Sequence, residues 1–463
     1  MVDRINRLLI ANRGEIVIRI IKTCRKLGIK TIAVYTSVDS DAMHVKLADE
    51  AYSLGSDPYG YLDIDKIVSV IKKAGADAVH PGYGFLSENA NFAKAVEDSG
   101  AIWVGPKWNV IELLESKSMV RSIAHSIGVP IVPGSIAPVT LEEAKKISEE
   151  VGFPVLIKAD RGGGGRGIRI ANNLDELERL FLIASKEVET SFKGSKLYIE
   201  KFLPKVRHIE IQILADTHGN VVALGERECS IQRRYQKVIE EAPSPIITDD
   251  HRKKLYEYAI KFMKHVKYVN AGTIEFIRDE KGNFYLIEVN KRIQVEHPVT
   301  EAVTGIDIVE QQIKIAEGRE LEIRDNIYKF NGHAIEARVY AEDPDKMLPS
   351  PGKISWVRFP DTKNVRIDHA IAPGVEIPPF YDPMIAKVIA WGSTREEARK
   401  NLVNALSNFE ISGIKTSIPL LIEILNTKEF ISGDYNTLFL GYYLEQRKIS
   451  KNALVSGNRE KVY

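Results

Sequence analysis

The residue types best suited to binding phosphate lie in one glycine-rich segment. Lys158 precedes the glycines Gly162 to Gly165, and Arg166 and Gly167 follow them. Glycine costs backbone entropy, about 1 kcal/mol relative to alanine inside a regular element, so such a run indicates a backbone requirement. Bare N–H groups can surround phosphate oxygens, and a lysine adds a point charge. The run lacks the Gly-Lys-Ser/Thr ending of a P-loop and precedes a predicted strand rather than a helix, which leaves a flexible hairpin turn as the alternative.

A second set of side chains has the chemistry of a metal site. Glu288 and Asn290 are two residues apart on a predicted strand, so both side chains leave the same face. Glu275, on the neighbouring predicted strand, could add a carboxylate. Oxygen ligands of this kind suit Mg²⁺ or Mn²⁺. A solvated, charged strand face is the alternative interpretation.

The residues that follow this strand could bind an anion and move a proton. Arg292, Gln294 and Glu296 keep the same parity if the chain stays extended. They would place a planar cation, an amide and a carboxylate beside the metal, which suits an anionic substrate and a general base. Lys291 is expected to point away from Arg292, toward the surface.

A third charged cluster covers residues 226–241 and could be a surface ion-pair network or an anion site. Cys229 lies inside it. Because no histidine-based dyad is evident nearby, we expect a small buried thiol rather than a nucleophile. His208 would by default be a core histidine, and Lys117 alone would be an ordinary surface lysine.

The elements that must position these residues combine α/β and α+β organisation. Strand and helix alternate over residues 1–115, which predicts an open parallel sheet. Residues 116–330 form the next domain, with a small lid at about 132–203 and then period-two strands, which indicate antiparallel strands with one buried face. Short strands and Pro/Gly turns fill residues 331–446, and residues 447–463 form a charged tail with little to pack against.

Composition limits the class of protein. The chain has 463 residues, enough for about three domains of roughly 150 residues, and 44% of them are apolar. The net charge of +1 supplies no bulk attraction to nucleic acid or anionic lipid, so we expect neither as a partner. Two distant cysteines and the lack of a signal-peptide core or membrane span predict a cytoplasmic location.

Seven stretches, in order, resemble the biotin carboxylases, the ATP-grasp component of biotin-dependent carboxylases. They are ANRGEIVIRIIKTCRKLG, HPGYGFLSENANFA, GERECSIQRRYQKVIEEAPSP, IEVNKRIQVEHPVTEAVTGIDIVEQQI, GHAIEARVYAEDP, PSPGKI and YDPMIAKVIAWG. The resemblance covers the chain to about Leu444. It implies an N-terminal preATP-grasp domain, a central ATP-grasp domain with a glycine-rich lid, and a C-terminal biotin carboxylase domain.

The resemblance also implies roles for individual residues. The residues implied to bind ATP are Lys117, Lys158, Gly162, Gly163, Gly164, Gly165, Arg166, Gly167, Glu200, Lys201, Leu203, His208, Gln232, Glu275 and Glu288. The divalent cations, Mg²⁺ or Mn²⁺, would bind Glu275, Glu288 and Asn290. Bicarbonate would lie against Lys237, Arg292, Gln294 and Val295, with Glu296 as the base, and Arg338 would stabilise the enolate of biotin.

The implied reaction is the ATP- and bicarbonate-dependent carboxylation of biotin N1 through carboxyphosphate. The chain has no biotin-accepting turn of the Ala-Met-Lys-Met kind and no length for a carboxyltransferase. A biotin carboxyl carrier protein and the carboxyltransferase are therefore expected as separate subunits, and the family resemblance predicts a homodimer. The final acceptor, an acyl-CoA or pyruvate, is left open.

Three positions depart from the family pattern. Asp160 and Arg161 replace small residues in the lid hinge, Tyr235 replaces a histidine, and Lys291 replaces a threonine. These changes predict slower turnover or weaker nucleotide binding rather than another reaction. Two alternatives stay open: an ATP-grasp ligase of another substrate class, and a nucleotide-binding subunit that has lost catalysis.

Overall fold

The N-terminal part of the chain forms a parallel sheet flanked by helices. The computed structural model describes residues 4–161, 168–191 and 196–459. The first strands are β1 (Arg7–Ile10), β2 (Lys30–Tyr35), β3 (Glu50–Ser53), β4 (Ala78–His80) and β5 (Ile102–Trp103). They pair in the order β3-β2-β1-β4-β5, and every pair is parallel, as predicted. The helices are α1 (Glu15–Leu27), α2 (Met43–Leu47), α3 (Ile64–Ala74), α4 (Ala90–Asp98) and α5 (Trp108–Leu113), with 3₁₀ turns at Ser37–Asp39 and Pro58–Leu62.

Helix α1 shows how the local sequence sets these elements. Its apolar side chains recur at helical spacing, and Ile16, Val17 and Ile20 are buried against the sheet. Gly28 ends the helix with a φ of 71°, and its N–H donates to the carbonyl of Arg25. A left-handed glycine is the usual residue at this position, so the predicted helix end is confirmed.

A small antiparallel sheet lies within residues 132–203, where the sequence predicts a lid, and we call this region the lid. Its strands are β6 (Val155–Ala159), β7 (Arg169–Ala171) and β8 (Leu197–Lys201), in the order β7-β6-β8. Helices α7 (Leu141–Val151) and α8 (Leu174–Ser191) pack against it, and α6 (Lys117–Ser126) precedes it. The glycines Gly162 to Gly165, with Arg166 and Gly167, lie outside the described residues.

An eight-stranded antiparallel sheet forms the centre of the molecule. The strands after the lid are β9 (Arg207–Ala215), β10 (Val221–Arg233), β11 (Gln236–Ala242), β12 (Asn270–Arg278), β13 (Phe284–Asn290), β14 (His333–Tyr340), β15 (Gly352–Lys353), β16 (Trp356–Arg358), β17 (Val365–His369), β18 (Glu376–Ile377), β19 (Met384–Gly392) and β20 (Glu410–Ser412). The large sheet has the order β13-β12-β9-β10-β11-β14-β19-β17. It crosses the boundary expected near residue 330, because β11 pairs with β14.

In the part of the chain that the structure describes, seven helices cover this sheet and the C-terminal part. They are α9 (Asp249–His265), α10 (His297–Thr304), α11 (Ile308–Ala316), α12 (Arg395–Ser407), α13 (Ile418–Leu425), α14 (Lys428–Ser432) and α15 (Phe439–Arg459). Helix α15 continues past Gln446, and Arg447 donates to Glu423 and to the carbonyl of Pro344. The expectation of an unpacked tail is therefore wrong at its first residue. Among the described residues, no helix combines the length and apolar character needed to cross a membrane.

The central strands differ from the prediction in one respect. Residues 207–215 of β9 are buried at every position, and so is the interior of β10. The polar positions are buried because they pair with each other: Arg227 donates to Gln212 at 2.7 Å and to Thr300 at 3.0 Å, and it contacts Glu210. The antiparallel pairing is confirmed, but the single buried face is wrong.

The packing of α9 on the central sheet gives a stability prediction. Phe262 is fully buried in the cluster that contains Ile211 and Ile213. Phe262→Ala should lower the free energy of unfolding by about 3–5 kcal/mol, because it leaves a cavity in a close-packed core. Urea unfolding measures the change. Leu182→Ala, at a side chain that is 51% exposed, is the control and should stay within about 0.5 kcal/mol of the parent. A loss at Phe262 no larger than in this control would contradict the packing described.

Candidate active site

One large cleft collects the candidate residues. It has a volume of about 1030 Å³ and lies between the lid, the central sheet and the C-terminal strands. Every described residue that the sequence assigned to a site lines it: Lys117, Lys158, Glu200, Lys201, Leu203, His208, Gln232, Lys237, Glu275, Glu288, Asn290, Arg292, Gln294, Val295, Glu296 and Arg338. Residues more than 200 positions apart in sequence thus share one cavity.

The lid contributes a lysine that is held in place by a carboxylate. Lys158 on β6 donates to Glu200 on β8 at 2.8 Å, and Arg121 donates to the other oxygen of Glu200 at 2.6 Å. Burial alone would lower the pKa of Lys158, but Glu200 and Tyr198 keep it above its ordinary value. An ammonium has three N–H donors, and Glu200 accepts from one of them. Lys158 therefore stays charged and can also reach an anion in the cleft.

Asp160 connects the hinge of the lid to the helix that carries Lys117. Its carboxylate accepts from Ser116 Oγ at 2.9 Å and from the N–H of Ser118 at 2.7 Å, and its carbonyl accepts from the N–H of Lys117. A carboxylate at the start of α6 also interacts favourably with the helix dipole. Burial lowers the pKa of Lys117, which lines the cleft. The carboxylate of Asp160, a residue that departs from the family pattern, thus caps the N-terminus of α6.

The candidate metal ligands face each other across two strands. Glu275 on β12 is in register with Glu288 on β13, and Asn290 lies two residues further along β13. Asn290 Nδ2 donates to Glu275 Oε1 at 2.8 Å, and His208 Nε2 lies 2.8 Å from Glu275 Oε2. Burial alone would raise the pKa of Glu275, but Lys237 and His208 keep it well below its ordinary value. The cleft thus holds an ionised carboxylate beside further oxygen ligands.

A single ammonium links this group to the other end of the cleft. Lys237 Nζ has four side-chain acceptors within hydrogen-bond distance: Glu210 Oε2 at 2.6 Å, Glu275 Oε1 at 2.9 Å, Gln294 Oε1 at 3.1 Å and Glu296 Oε1 at 2.6 Å. Three of these acceptors are carboxylates, and together they keep the pKa of the buried Lys237 well above its ordinary value, against the effect of burial. Lys237 is therefore a permanent positive charge.

Glu296 lies between two cations. Its Oε1 accepts from Lys237, and its Oε2 lies 3.0 Å from Arg338 Nη2. Burial alone would raise the pKa of Glu296, but Lys237 and Arg338 keep it below its ordinary value. Glu296 is thus ionised and can accept a proton, and an anion bound beside it would raise its pKa and strengthen it as a base.

Arg338 is oriented by a carboxylate from the neighbouring strand. Its Nε and Nη2 atoms lie 2.6 and 2.5 Å from Glu240 Oε1. Burial raises the pKa of Glu240 to about 7 in spite of this guanidinium. The fork of Arg338 is therefore held by Glu240 on one side and by Glu296 on the other, which fixes its plane at the edge of the cleft.

The segment between β13 and α10, residues 291–296, corrects two expectations. We call it the site loop. Strand β13 ends at Asn290, so the parity argument for the residues beyond it is wrong, although Arg292, Gln294 and Glu296 still line the cleft. Lys291 is buried rather than directed to the surface. Its Nζ lies 3.9 Å from Glu88, and Arg292 Nε lies 3.8 Å from the same carboxylate. Once the chain leaves strand geometry, neighbouring side chains can point the same way.

Tyr235 and Cys229 occupy different environments within the third cluster. Arg234 and Tyr235, with φ of 50° and 65°, form the two-residue turn between β10 and β11. Tyr235 is 61% exposed and reaches the mouth of the cleft. Cys229 is fully buried, and burial keeps the pKa of its thiol well above its ordinary value. The expected buried thiol is confirmed.

Arg121 and Glu210 hold side chains of the cleft and were not found from the sequence: Arg121 binds Glu200 of the lid, and Glu210 binds the catalytic candidate Lys237. Glu240, which binds Arg338, lies in the third charged cluster, and Glu88 lines the cleft and holds the site loop. Glu210 carries a usable signal, because it alternates with His208 and Gln212 on one strand. Arg121 gives no such sequence signal, because its carboxylate partner, Glu200, is distant in sequence.

Ionised carboxylates on an antiparallel sheet lie opposite a lysine on a separate small sheet, which agrees with the class that the sequence resemblance implies, an ATP-grasp enzyme. The comparisons with known proteins agree with this class. The family described as "Biotin carboxylase, N-terminal domain" matches residues 4–111, "Carbamoyl-phosphate synthase L chain, ATP binding domain" matches residues 116–324, and "Biotin carboxylase C-terminal domain" matches residues 336–442.

Individual relatives match over almost their full length. Biotin carboxylase 1 of Bacillus subtilis is 49% identical over 444 residues, which cover 95% of this chain and 99% of that protein. The 2-oxoglutarate carboxylase small subunit of Hydrogenobacter thermophilus is 48% identical, covering 94% and 93%. A crystal structure of the biotin carboxylase domain dimer of the Hydrogenobacter enzyme, with MgADP, ADP and bicarbonate, superposes with a TM-score of 0.92 at 47% identity, covering 95% and 98%. The chain belongs to the biotin carboxylase family.

The burial of both cysteines gives a chemical prediction. Burial raises the pKa of Cys24 to about 12 and that of Cys229 well above its ordinary value. Because the thiolate is the reactive form, neither should react with a disulfide reagent such as DTNB at about pH 8 in the native protein. After unfolding in guanidinium, two thiols should react. Rapid reaction of Cys229 in the native protein, slowed by ATP, would contradict its assignment as an inert thiol.

Proposed function

We propose that this chain carboxylates N1 of biotin on a separate carrier protein, using ATP and bicarbonate through a carboxyphosphate intermediate. The observation that carries the proposal is Glu296, held between Lys237 and Arg338 at 2.6 and 3.0 Å. A base for bicarbonate and a cation for a developing enolate are thus adjacent. Lys237 also contacts Glu275 of the candidate metal group, so the proposed base lies next to the proposed phosphate site.

The nucleotide is assigned to the lid side of the cleft. Lys117 and Lys158 would bind its phosphates, together with the glycine run, and the adenine would lie beside Glu200, Lys201 and Leu203. His208 and Gln232 would complete the nucleotide site. His208 Nδ1 lies 2.8 Å from Gln232 Nε2, so the two side chains are already held together.

The donor set fits a divalent cation. Glu275, Glu288 and Asn290 offer two carboxylates and an amide oxygen on one face of the sheet, which suits Mg²⁺ or Mn²⁺. When bound, such a cation supplies positive charge for the β- and γ-phosphates. The ionised state of Glu275, maintained by Lys237 and His208, prepares the site for it.

Each residue of the cleft has a separate role in the proposed reaction. Glu296 accepts the proton of bicarbonate, whose oxygen attacks the γ-phosphorus while ADP leaves, which gives carboxyphosphate. Lys237, Arg292 and Gln294 hold the anion, which lies against Val295. Carboxyphosphate releases CO₂ and phosphate, the phosphate or a base of the site takes the N1 proton of biotin, and the enolate attacks CO₂. Arg338 stabilises the enolate oxygen.

The assignment of domains and subunits follows from the sequence pattern and the family resemblance. We place the lid at about 132–203 within an ATP-grasp domain at 116–330, between domains at 1–115 and 331–446. A biotin carboxyl carrier protein and a carboxyltransferase would be separate subunits, and the chain would act as a homodimer in the cytoplasm. The final acceptor, acetyl-CoA, propionyl-CoA or pyruvate, would be chosen by the carboxyltransferase.

Cofactor dependence tests the proposal. ADP release is measured with Mg²⁺ and ATP alone, with bicarbonate, with free biotin, and with both. We expect the fastest release when bicarbonate and biotin are both present, because together they complete the reaction. If adding both leaves ATP turnover unchanged, the proposed function is wrong.

The role of Glu296 has its own test. Glu296→Gln should lower kcat by about 10²-fold or more, because the general base is lost while the shape of the side chain is kept. The matched control is Glu241→Gln on β11. Glu241 is equally buried, but it accepts from Arg395 at 2.6 Å and does not line the cleft. The control should keep kcat within about threefold. Equal losses in the two variants would remove the case for Glu296 as the base.

A further inference from the structure

The site loop has no regular secondary structure, so contacts from outside must fix its backbone. Residues 291–296 run between β13 and α10 and carry four candidate bicarbonate contacts, Arg292, Gln294, Val295 and Glu296. Glu88 accepts from the N–H of Lys291 at 2.8 Å and so holds one end of the loop. The other end is held from the C-terminal part of the chain.

That second contact comes from a fully buried lysine. Lys387 on β19 has no exposed surface, and its Nζ donates to the carbonyl of Val295 at 2.7 Å. Lysine is rarely buried to this extent without a partner, because removing its charge from water is costly. The partner is Glu15 of α1, whose Oε1 lies 3.2 Å from Nζ.

Lys387 and Arg338 act on adjoining residues of the site loop. They are in register on the paired strands β19 and β14, so their side chains leave the same face of the sheet. Arg338 contacts the carboxylate of Glu296, and Lys387 contacts the carbonyl of the preceding residue, Val295. Arg338 therefore contacts the carboxylate of the proposed base, and Lys387 contacts the backbone beside that residue.

The counter-ion is itself fixed by the N-terminal part of the chain. Tyr83 donates its hydroxyl to Glu15, and the carbonyl of Tyr83 accepts from Asn12 Nδ2 at 2.7 Å. Lys387 thus joins an N-terminal helix, the site loop and a C-terminal strand through one ammonium. Glu15, Glu336 and Asp368 keep the pKa of Lys387 above its ordinary value, against the effect of burial.

We propose that Lys387 is a positioning residue for bicarbonate, which holds the Val295 carbonyl, and with it the site loop, by a hydrogen bond whose charge is balanced by Glu15. The inference rests on the proposed function and deepens it. Loss of this hydrogen bond would let the loop shift relative to Lys237 and Arg338. The nucleotide contacts on the lid and on β12 do not depend on this hydrogen bond. Its loss should therefore change the KM for bicarbonate more than the KM for ATP.

The test separates the two substrates kinetically. Lys387→Met keeps the length of the side chain and removes the donor and its charge. We expect the KM for bicarbonate to rise about 10- to 100-fold, as small displacements of a substrate site commonly cause, while the KM for ATP stays within about twofold. Lys387→Arg keeps a charged donor and should give a KM for bicarbonate closer to that of the parent enzyme.

Two variants leave the lysine in place and cover the case in which Lys387→Met does not fold. Glu15→Gln removes the counter-charge, and Tyr83→Phe removes one hydrogen bond to Glu15. Both should raise the KM for bicarbonate more than the KM for ATP. Unchanged values in both variants would overturn the proposal.

A matched control distinguishes positioning from stability alone. Arg395→Met removes a cation from the buried Glu241, in the same part of the chain but outside the cleft. It should lower Tm and leave both KM values unchanged. Lys387 is not a positioning residue if Lys387→Met behaves like this control, or if both of its KM values rise equally. If the parent enzyme itself shows no turnover dependent on bicarbonate and biotin, the proposed function fails first.

Discussion

The site depends on the Lys237 ammonium. Three buried carboxylates, Glu210, Glu275 and Glu296, lie within hydrogen-bond distance of it. Carboxylates brought this close in a buried cleft repel each other, and without a cation at least one of them would take up a proton. Lys237 helps to keep the pKa of Glu275 and Glu296 below their ordinary values, whereas burial raises the pKa of Glu210. The same charge therefore prepares both the oxygen ligands at one end of the cleft and the base at the other.

Strand register places this charge. Glu275 pairs with Glu288 across β12 and β13, and Glu210 lies opposite Glu275 on β9. Paired strands hold opposite side chains about 5 Å apart without flexible connections, which gives the precision that a polar site needs. The site loop and the lid are the two exceptions. Each is secured by charged contacts, through Glu88 and Lys387 for the loop and through Glu200 for the lid lysine.

The sequence predicts the residues on regular elements well and the residues outside them poorly. Alternation placed Glu288 and Asn290 on one face, because both lie within β13, and Gly28 marked the end of α1. The same reasoning failed at Lys291, one residue beyond the strand, where the backbone changes direction. Alternation also failed to predict that β9 is buried on both faces. A polar residue that is paired in the interior gives the same sequence pattern as a polar residue exposed to water. Arg121 and Lys387 act over long sequence separations, which periodicity does not report.

The large sheet has a further consequence for how the chain holds together. Strands β11 and β14 are the fifth and sixth strands in its order, yet the connection between them runs through α9, β12, β13, α10 and α11. A cut in the connection just before β14 would leave two fragments, each ending in a row of unpaired N–H and C=O groups along an exposed edge strand. Each edge is the natural template for the other. The edges of β11 and β14 therefore complement each other, and Arg338 and Glu240 meet across them. Contacts outside this pairing, such as that of Lys387 with the Val295 carbonyl, also join the two fragments.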